Sequence, residues 1–72
     1  MKREEAITLL KKIAESNRFG FNWISLVNGK AGCEIHIKPQ HGADPAVLEP
    51  IFENRDLKLK EVEGTLVVYR EH

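Results

Sequence analysis

Residues 21–39 carry the clearest structural signal of this 72-residue chain and read FNWISLVNGKAGCEIHIKP. β-Forming residues stand on both sides of Asn28-Gly29, a pair that favours the tight turn of a β-hairpin because both turn residues need positive φ. After this pair, apolar and polar residues alternate, as they do in a strand with one buried face. The stretch therefore predicts a hairpin with strands over residues 21–28 and 31–38.

Helical signals lie on both sides of this hairpin. Apolar residues recur at helical spacing over residues 3–16, which predicts an amphipathic helix. Asp44-Pro45 is typical of an N-cap followed by proline at the first helical position, so a short helix begins there. Pro50 interrupts it. Either one helix kinks and ends near residues 54–55, which we favour, or the segment splits at this proline.

Two further β-forming runs, residues 57–62 and 65–70, flank Glu63-Gly64 and predict a second hairpin. The order of elements is then α-β-β-α-β-β. A single hairpin is marginally stable in water, so we expect both hairpins in one four-stranded antiparallel sheet. Both helices are expected to pack on one face of this sheet. The predicted fold class is α+β, as a single small domain over residues 1–72.

The length of the first turn determines which side chains of the sheet face the helices. With a two-residue Asn28-Gly29 loop, which we favour, Ile24 pairs with Cys33, and paired residues share the face beneath the helices. A three-residue loop with a bulge reverses the faces and puts Phe21 and Trp23 in the core. In the favoured register the uncovered face carries these apolar side chains: Phe21, Trp23, Val27, Val62, Val67 and Tyr69. It also carries these polar and basic ones: His36, Lys38, Lys58 and Lys60.

Composition excludes several classes of protein. Eleven Lys and Arg balance eleven Asp and Glu, so the chain is no overall polycation of the kind that coats DNA. One Cys cannot form an internal disulfide, which excludes a disulfide-stapled secreted miniprotein. No apolar run of about 18 residues is present, so we expect no membrane span. The charged start over residues 1–5 shows no apolar signal segment, and we expect a cytoplasmic location.

The uncovered sheet face predicts an interaction surface. Such a mixed apolar and aromatic patch is larger than a monomer usually exposes, and Trp and Tyr are frequent anchors of protein interfaces. A chain this short buries only about 60% of its unfolded surface, so self-association adds stability. We predict a non-enzymatic interaction module, homodimeric through this face or an edge strand, with another protein as a second kind of partner. The predicted interface residues are Phe21, Trp23, Val27, Val67 and Tyr69.

Two other functions stay open. The first is a single-stranded RNA- or DNA-binding domain, in which Trp23 and Tyr69 stack on bases. The side chains expected to meet phosphates are His36, Lys38, Lys58 and Lys60. The second is a small enzyme or ligand carrier with a site shared across a dimer, built on His41 and Asp44.

The sequence predicts no metal, no cofactor and no catalytic residue. Cys33 and His36 are an odd number of positions apart on one strand, so they face opposite sides, while His41 lies in a loop. A zinc site needs about four convergent ligands. Residues 41–44 are interpreted as a turn and a helix cap with a solvated histidine. Cys33 is predicted to be a small buried apolar residue rather than a nucleophile.

Overall fold

The computed structural model describes residues 1–16, 19–29, 32–52 and 56–70. These residues form a four-stranded antiparallel sheet with helices on one face, in the order α-β-β-α-β-β. The predicted α+β fold is confirmed. The elements are α1 Arg3–Glu15, β1 Phe21–Gly29, β2 Gly32–Pro39, a 3-10 turn Pro45–Leu48, α2 Glu49–Phe52, β3 Leu57–Val62 and β4 Thr65–Arg70.

The strands lie in the order β1-β2-β4-β3, so β2 and β4 are central and β1 and β3 form the two edges. The two hairpins meet where β2 pairs antiparallel with β4, with Ile35 opposite Val68. Both side chains are fully buried, because central strands have neighbours on both edges and helices on one face. Both hairpins therefore belong to one sheet, as the sequence predicted.

Helix α1 packs its apolar stripe against the sheet. It ends at Glu15, one residue before the predicted end, and the Ser16 N–H bonds the Ile13 carbonyl oxygen at 3.1 Å. Asn17, a predicted terminator, lies outside the described residues. The fully buried residues of α1 are Ala6, Leu9 and Ile13, which join the isoleucines of β2 in one core.

The turn of the first hairpin comes later in the sequence than predicted. Gly29 pairs with Gly32, so the predicted Asn28-Gly29 turn is wrong and both of its residues belong to β1. The two connecting residues lie outside the described ranges. Ile24 now pairs with Ile37. The register differs from the predicted one by an even number of positions. Because side chains alternate with a period of two, the predicted division between the faces holds from Trp23 to Val27.

Contacts with Met1 and across the hairpin accompany this displacement. The Met1 carbonyl oxygen accepts a hydrogen bond of 2.8 Å from the Cys33 N–H. Gly32 has a φ of 115°, a conformation that L side chains rarely adopt. The Cys33 thiol also donates to the Asn28 side-chain oxygen at 3.5 Å. These contacts form in the observed register, and a local turn preference of Asn-Gly does not include them.

A β-bulge moves Phe21 to the helix side of the sheet. Phe21 pairs with Pro39 but Trp23 pairs with Lys38, which leaves Asn22 as an extra residue on β1. Phe21 is partly buried against the core. The prediction that Phe21 lies on the uncovered face is therefore wrong, because one extra residue reverses the alternation before Trp23.

The second hairpin has the predicted register. Val62 pairs with Thr65, and between them Glu63 and Gly64 have φ values of 51° and 80°. Two successive positive φ values are those of a type I′ turn, which matches the twist of the flanking strands. The predicted two-residue loop is confirmed.

The segment after Asp44 is not the single kinked helix that the sequence favoured. The 3-10 turn is followed directly by α2, which begins at Glu49, one residue before Pro50. Proline is tolerated in the first turn of a helix because its missing N–H has no partner there. The predicted end near residues 54–55 lies outside the described ranges. None of the helices in the described residues has the length and hydrophobicity needed to cross a bilayer.

Candidate interaction surface

The face of the sheet opposite the helices is the candidate site, which we call the open face. It is built from alternate residues of all four strands, because strand side chains point to opposite sides in turn. One row crosses the whole sheet and consists of Ser25, His36, Val67 and Lys60. The other open-face residues are Trp23, Val27, Glu34, Lys38, Lys58, Val62, Thr65 and Tyr69.

Trp23 and Val62 are the exposed large apolar groups of the described residues. These residues are 46% and 48% exposed, although they belong to opposite edges of the sheet. Both line a shallow concavity of about 340 Å³, together with Val67 and the polar side chains of Glu34, His36 and Lys60. The open face therefore combines apolar area with hydrogen-bonding groups.

The predicted interface residues differ in how much surface they offer. Val67 is only 4% exposed because it lies on a central strand between His36 and Lys60, so it supplies little area to a partner. Val27 is partly buried on the edge strand. Val62, which the sequence placed on this face without assigning it to the interface, is more exposed than either.

Most of the polar open-face side chains already have partners within the sheet. His36 Nε2 lies 3.2 Å from Glu34 Oε1, and both side chains are 27% exposed. Lys38 Nζ donates to the Gly64 carbonyl oxygen at 3.4 Å. Lys60 Nζ lies 4.8 Å from the centroid of the Tyr69 ring, within the range of a cation–π contact. One face of the Tyr69 ring is thus covered by a lysine.

The two edge strands differ in charge. β1 has nine residues, FNWISLVNG, and none of them is charged. β3 reads LKLKEV, with Lys58, Lys60 and Glu61. Lysine on an edge strand discourages pairing with another chain, whereas a long uncharged edge invites it. In the described part of the chain, β1 is therefore the edge that is chemically open to another strand.

Apolar groups on both sides of β1 are incompletely covered. Ile24 and Leu26 point to the helix side, yet both are only partly buried against the core. On the neighbouring strand, Ile35 and Ile37 are fully buried. On the open face, the Trp23 side chain is nearly half exposed. Along this edge, apolar surface is available on the helix side and on the open face.

Asp44, which the sequence offers for chemistry, has a structural role. Asp44 Oδ1 accepts a hydrogen bond of 3.0 Å from the Ala46 N–H, which makes it the predicted cap. His41 is exposed in the preceding turn. Cys33 is buried on the helix side while His36 lies on the open face. Among the described residues, no three His, Cys, Asp or Glu side chains come together in a metal-binding group.

A larger open depression, of about 660 Å³, lies between α2 and β3. Phe52 and Leu57 contribute apolar walls, while Glu49, Asp56 and Lys58 contribute charges of both signs. No pattern in the sequence predicts this depression, since it arises where a short helix meets an edge strand.

Comparison with protein-family models, with curated proteins and with solved structures finds no match for this chain. The physical properties of the open face and of the two sheet edges are therefore the basis for assigning a function.

Proposed function

We propose that this protein is a small non-enzymatic interaction module that forms a homodimer through the surface around Trp23. This surface consists of the exposed Trp23 side chain and the uncharged strand β1. The supporting observation is a tryptophan that is 46% exposed on an edge strand without charged residues. Burying the exposed part of an indole removes roughly 100 Å² from water, on the order of 2 kcal/mol per subunit.

The size of the chain also favours self-association. A folded domain of 72 residues has one small core, and such a core supplies a net stability of about 3–5 kcal/mol. A second copy that binds only the folded state adds stability by mass action. We also propose a cytoplasmic location, supported by the single cysteine, because secreted domains of this size usually rely on disulfides.

Sedimentation velocity or size-exclusion chromatography with light scattering, from low to high micromolar concentration, tests the homodimer. We expect a concentration-dependent mass of about twice the 8.2 kDa of one chain. Trp23→Lys should weaken the dimer at least tenfold, since it replaces apolar contact with a charge that would have to lose its water on burial. The matched control is Ala14→Lys, which adds the same charge at an exposed position of α1.

A single 8.2 kDa species at high micromolar concentration would overturn the proposal. Equal weakening of the dimer by Trp23→Lys and Ala14→Lys would also overturn it, because the effect would then come from net charge and not from the Trp23 surface.

Single-stranded nucleic acid has less support as a partner than a second copy of the chain. Binding sheets of this kind stack successive bases on aromatic rings. Lys60 covers one face of the Tyr69 ring, so Trp23 is the aromatic group that stands open. Titration of the tryptophan fluorescence with mixed-sequence single-stranded oligonucleotides separates the two functions. We expect no quenching at low salt, whereas quenching that salt reverses would favour a nucleic-acid binder.

A further inference from the structure

We infer that the two copies join by antiparallel pairing of β1 with β1 about a two-fold axis at Ser25, so that two four-stranded sheets become one. This inference rests on the proposed homodimer and specifies how its subunits meet. The occupant of the β1 edge is then a second copy of the same strand.

The chemistry of a strand edge determines what kind of group can occupy it. β1 lies at the end of the sheet in the described part of the chain, so its outer side presents backbone N–H and C=O groups. Another extended backbone satisfies such a row with main-chain hydrogen bonds. The occupant is therefore a strand, and the side chains of β1 decide which strand fits.

When two copies of β1 pair antiparallel about Ser25, the apolar side chains of one copy lie opposite apolar side chains of the other. Residues 22–28 read NWISLVN, with asparagine at both ends, two apolar residues on each side and serine in the centre. A two-fold axis at Ser25 sets Ile24 against Leu26 of the second copy, and Trp23 against Val27 of the second copy. Antiparallel pairing keeps each residue on the face of its partner, so apolar groups meet on both faces.

Burial along β1 agrees with a missing neighbour on this side. Ile24 and Leu26 face the helices but are only partly buried, and Trp23 is nearly half exposed on the open face. A second copy of β1 covers residues on both faces at once. A partner that docked flat on the open face would leave Ile24 and Leu26 uncovered.

Charge distinguishes β1 from the other edge. A two-fold axis at Leu59 of β3 would set Lys58 against Lys60 of the second copy, and directly opposed like charges are destabilising. On β1 no charged residue opposes its counterpart. The sequence of β1 is therefore compatible with self-pairing, whereas that of β3 opposes it.

Disulfide trapping tests the register. Ser25→Cys and Val27→Cys are each made together with Cys33→Ala, which removes the native thiol. About the proposed axis, the two Cα atoms of residue 25 lie roughly 4.5–5.5 Å apart, within disulfide reach. The two Cα atoms of residue 27 are displaced by four positions along the strand, about 13 Å, and are out of reach.

We expect mild oxidation to cross-link the Ser25→Cys dimer at least tenfold faster than the Val27→Cys dimer. The rate of maleimide labelling of each monomer corrects for the difference in exposure of the two thiols. Faster or equal cross-linking at position 27, in a chain that light scattering shows to be dimeric, would overturn the register and leave the homodimer standing. A monomeric wild-type chain would overturn both.

Hydrogen–deuterium exchange of the wild-type chain provides a measurement that needs no variant. We expect dilution from high to low micromolar concentration to accelerate exchange in the β1 peptide and not in the β3 peptide. Equal acceleration in both edge strands, or in neither while the mass falls, would contradict pairing through β1.

Discussion

A Cβ atom placed on Gly32 would lie 2.8 Å from the carbonyl oxygen of Met1. Real Cβ atoms do not approach a backbone oxygen this closely, so the first residue can bond Cys33 only because residue 32 has no side chain. Met1 is thereby attached to the first residues of β2, next to the turn of the first hairpin. Met1 is 5% exposed and is part of the core.

This contact predicts a large effect of Gly32→Ala. Both the close approach and the φ of 115° oppose a side chain. Gly42→Ala is the matched control, because its φ of 84° is also positive but nothing lies within 4 Å. We expect the free energy of unfolding in urea, measured at one protein concentration, to fall by about 1 kcal/mol for Gly42→Ala and at least about 2 kcal/mol for Gly32→Ala. Equal losses would show that the Met1 contact does not hold the hairpin end.

Substitutions of Ile35 test the core that joins the two hairpins. Its side chain is fully buried and it pairs with Val68 where the central strands meet. Ile35→Ala should cost about 2–5 kcal/mol, enough to unfold a domain with one small core, whereas Ile35→Val should cost about 0.5–1.5 kcal/mol. Circular dichroism during thermal unfolding measures both. A folded Ile35→Ala variant with an unchanged midpoint would contradict this core.

Asp44 tests the interpretation of residues 41–44 as structural. Asp44→Ala should lower the free energy of unfolding by about 1 kcal/mol, because the Ala46 N–H loses its acceptor. Asp44→Asn keeps an acceptor and should cost less. His41→Ala removes an exposed side chain and should leave stability within about 0.5 kcal/mol of the wild type. A loss with His41→Ala as large as that with Asp44→Ala would indicate a different role for the turn.

The fluorescence of Trp23 is a direct measure of dimerisation. In the single chain this residue is 46% exposed, so the indole of the dilute protein should emit at long wavelength and be readily quenched by acrylamide. As concentration rises through the dimerisation range, we expect a shift to shorter wavelength and weaker quenching. Fluorescence that stays constant while the mass doubles would move the interface away from Trp23.

Periodicity in the sequence predicted the order of elements and the division of the sheet into two faces. The second hairpin has the predicted turn, since Glu63 and Gly64 both have the positive φ values that a two-residue loop requires. The first turn was misplaced because Asn-Gly is a local preference, and the Met1–Cys33 hydrogen bond comes from residues far apart in sequence. A displacement by an even number of positions leaves the faces intact, so the error in register did not become an error in the core.

The positions of several single residues were not predictable in the same way. Phe19 is 3% exposed, yet it lies between a helix and a strand where no repeat shows that it is buried. Asn22 gives no sign that it forms a bulge, and Phe21 was assigned to the wrong face as a result. Val67 is 4% exposed on the face without helices, where it lies between His36 and Lys60 of the two neighbouring strands, and strand alternation alone does not predict this burial.

The contrast between the two sheet edges has a consequence for aggregation. Amyloid-like fibrils grow when each molecule presents an adhesive strand at both ends, so that every addition exposes a new one. This sheet has one uncharged edge, whereas the other carries Lys58 and Lys60. Loss of those two lysines would leave adhesive strands at both ends of each molecule, which is the condition for open-ended polymerisation. The lysines of β3 therefore leave each molecule with a single adhesive edge, so that assembly through it closes at two copies.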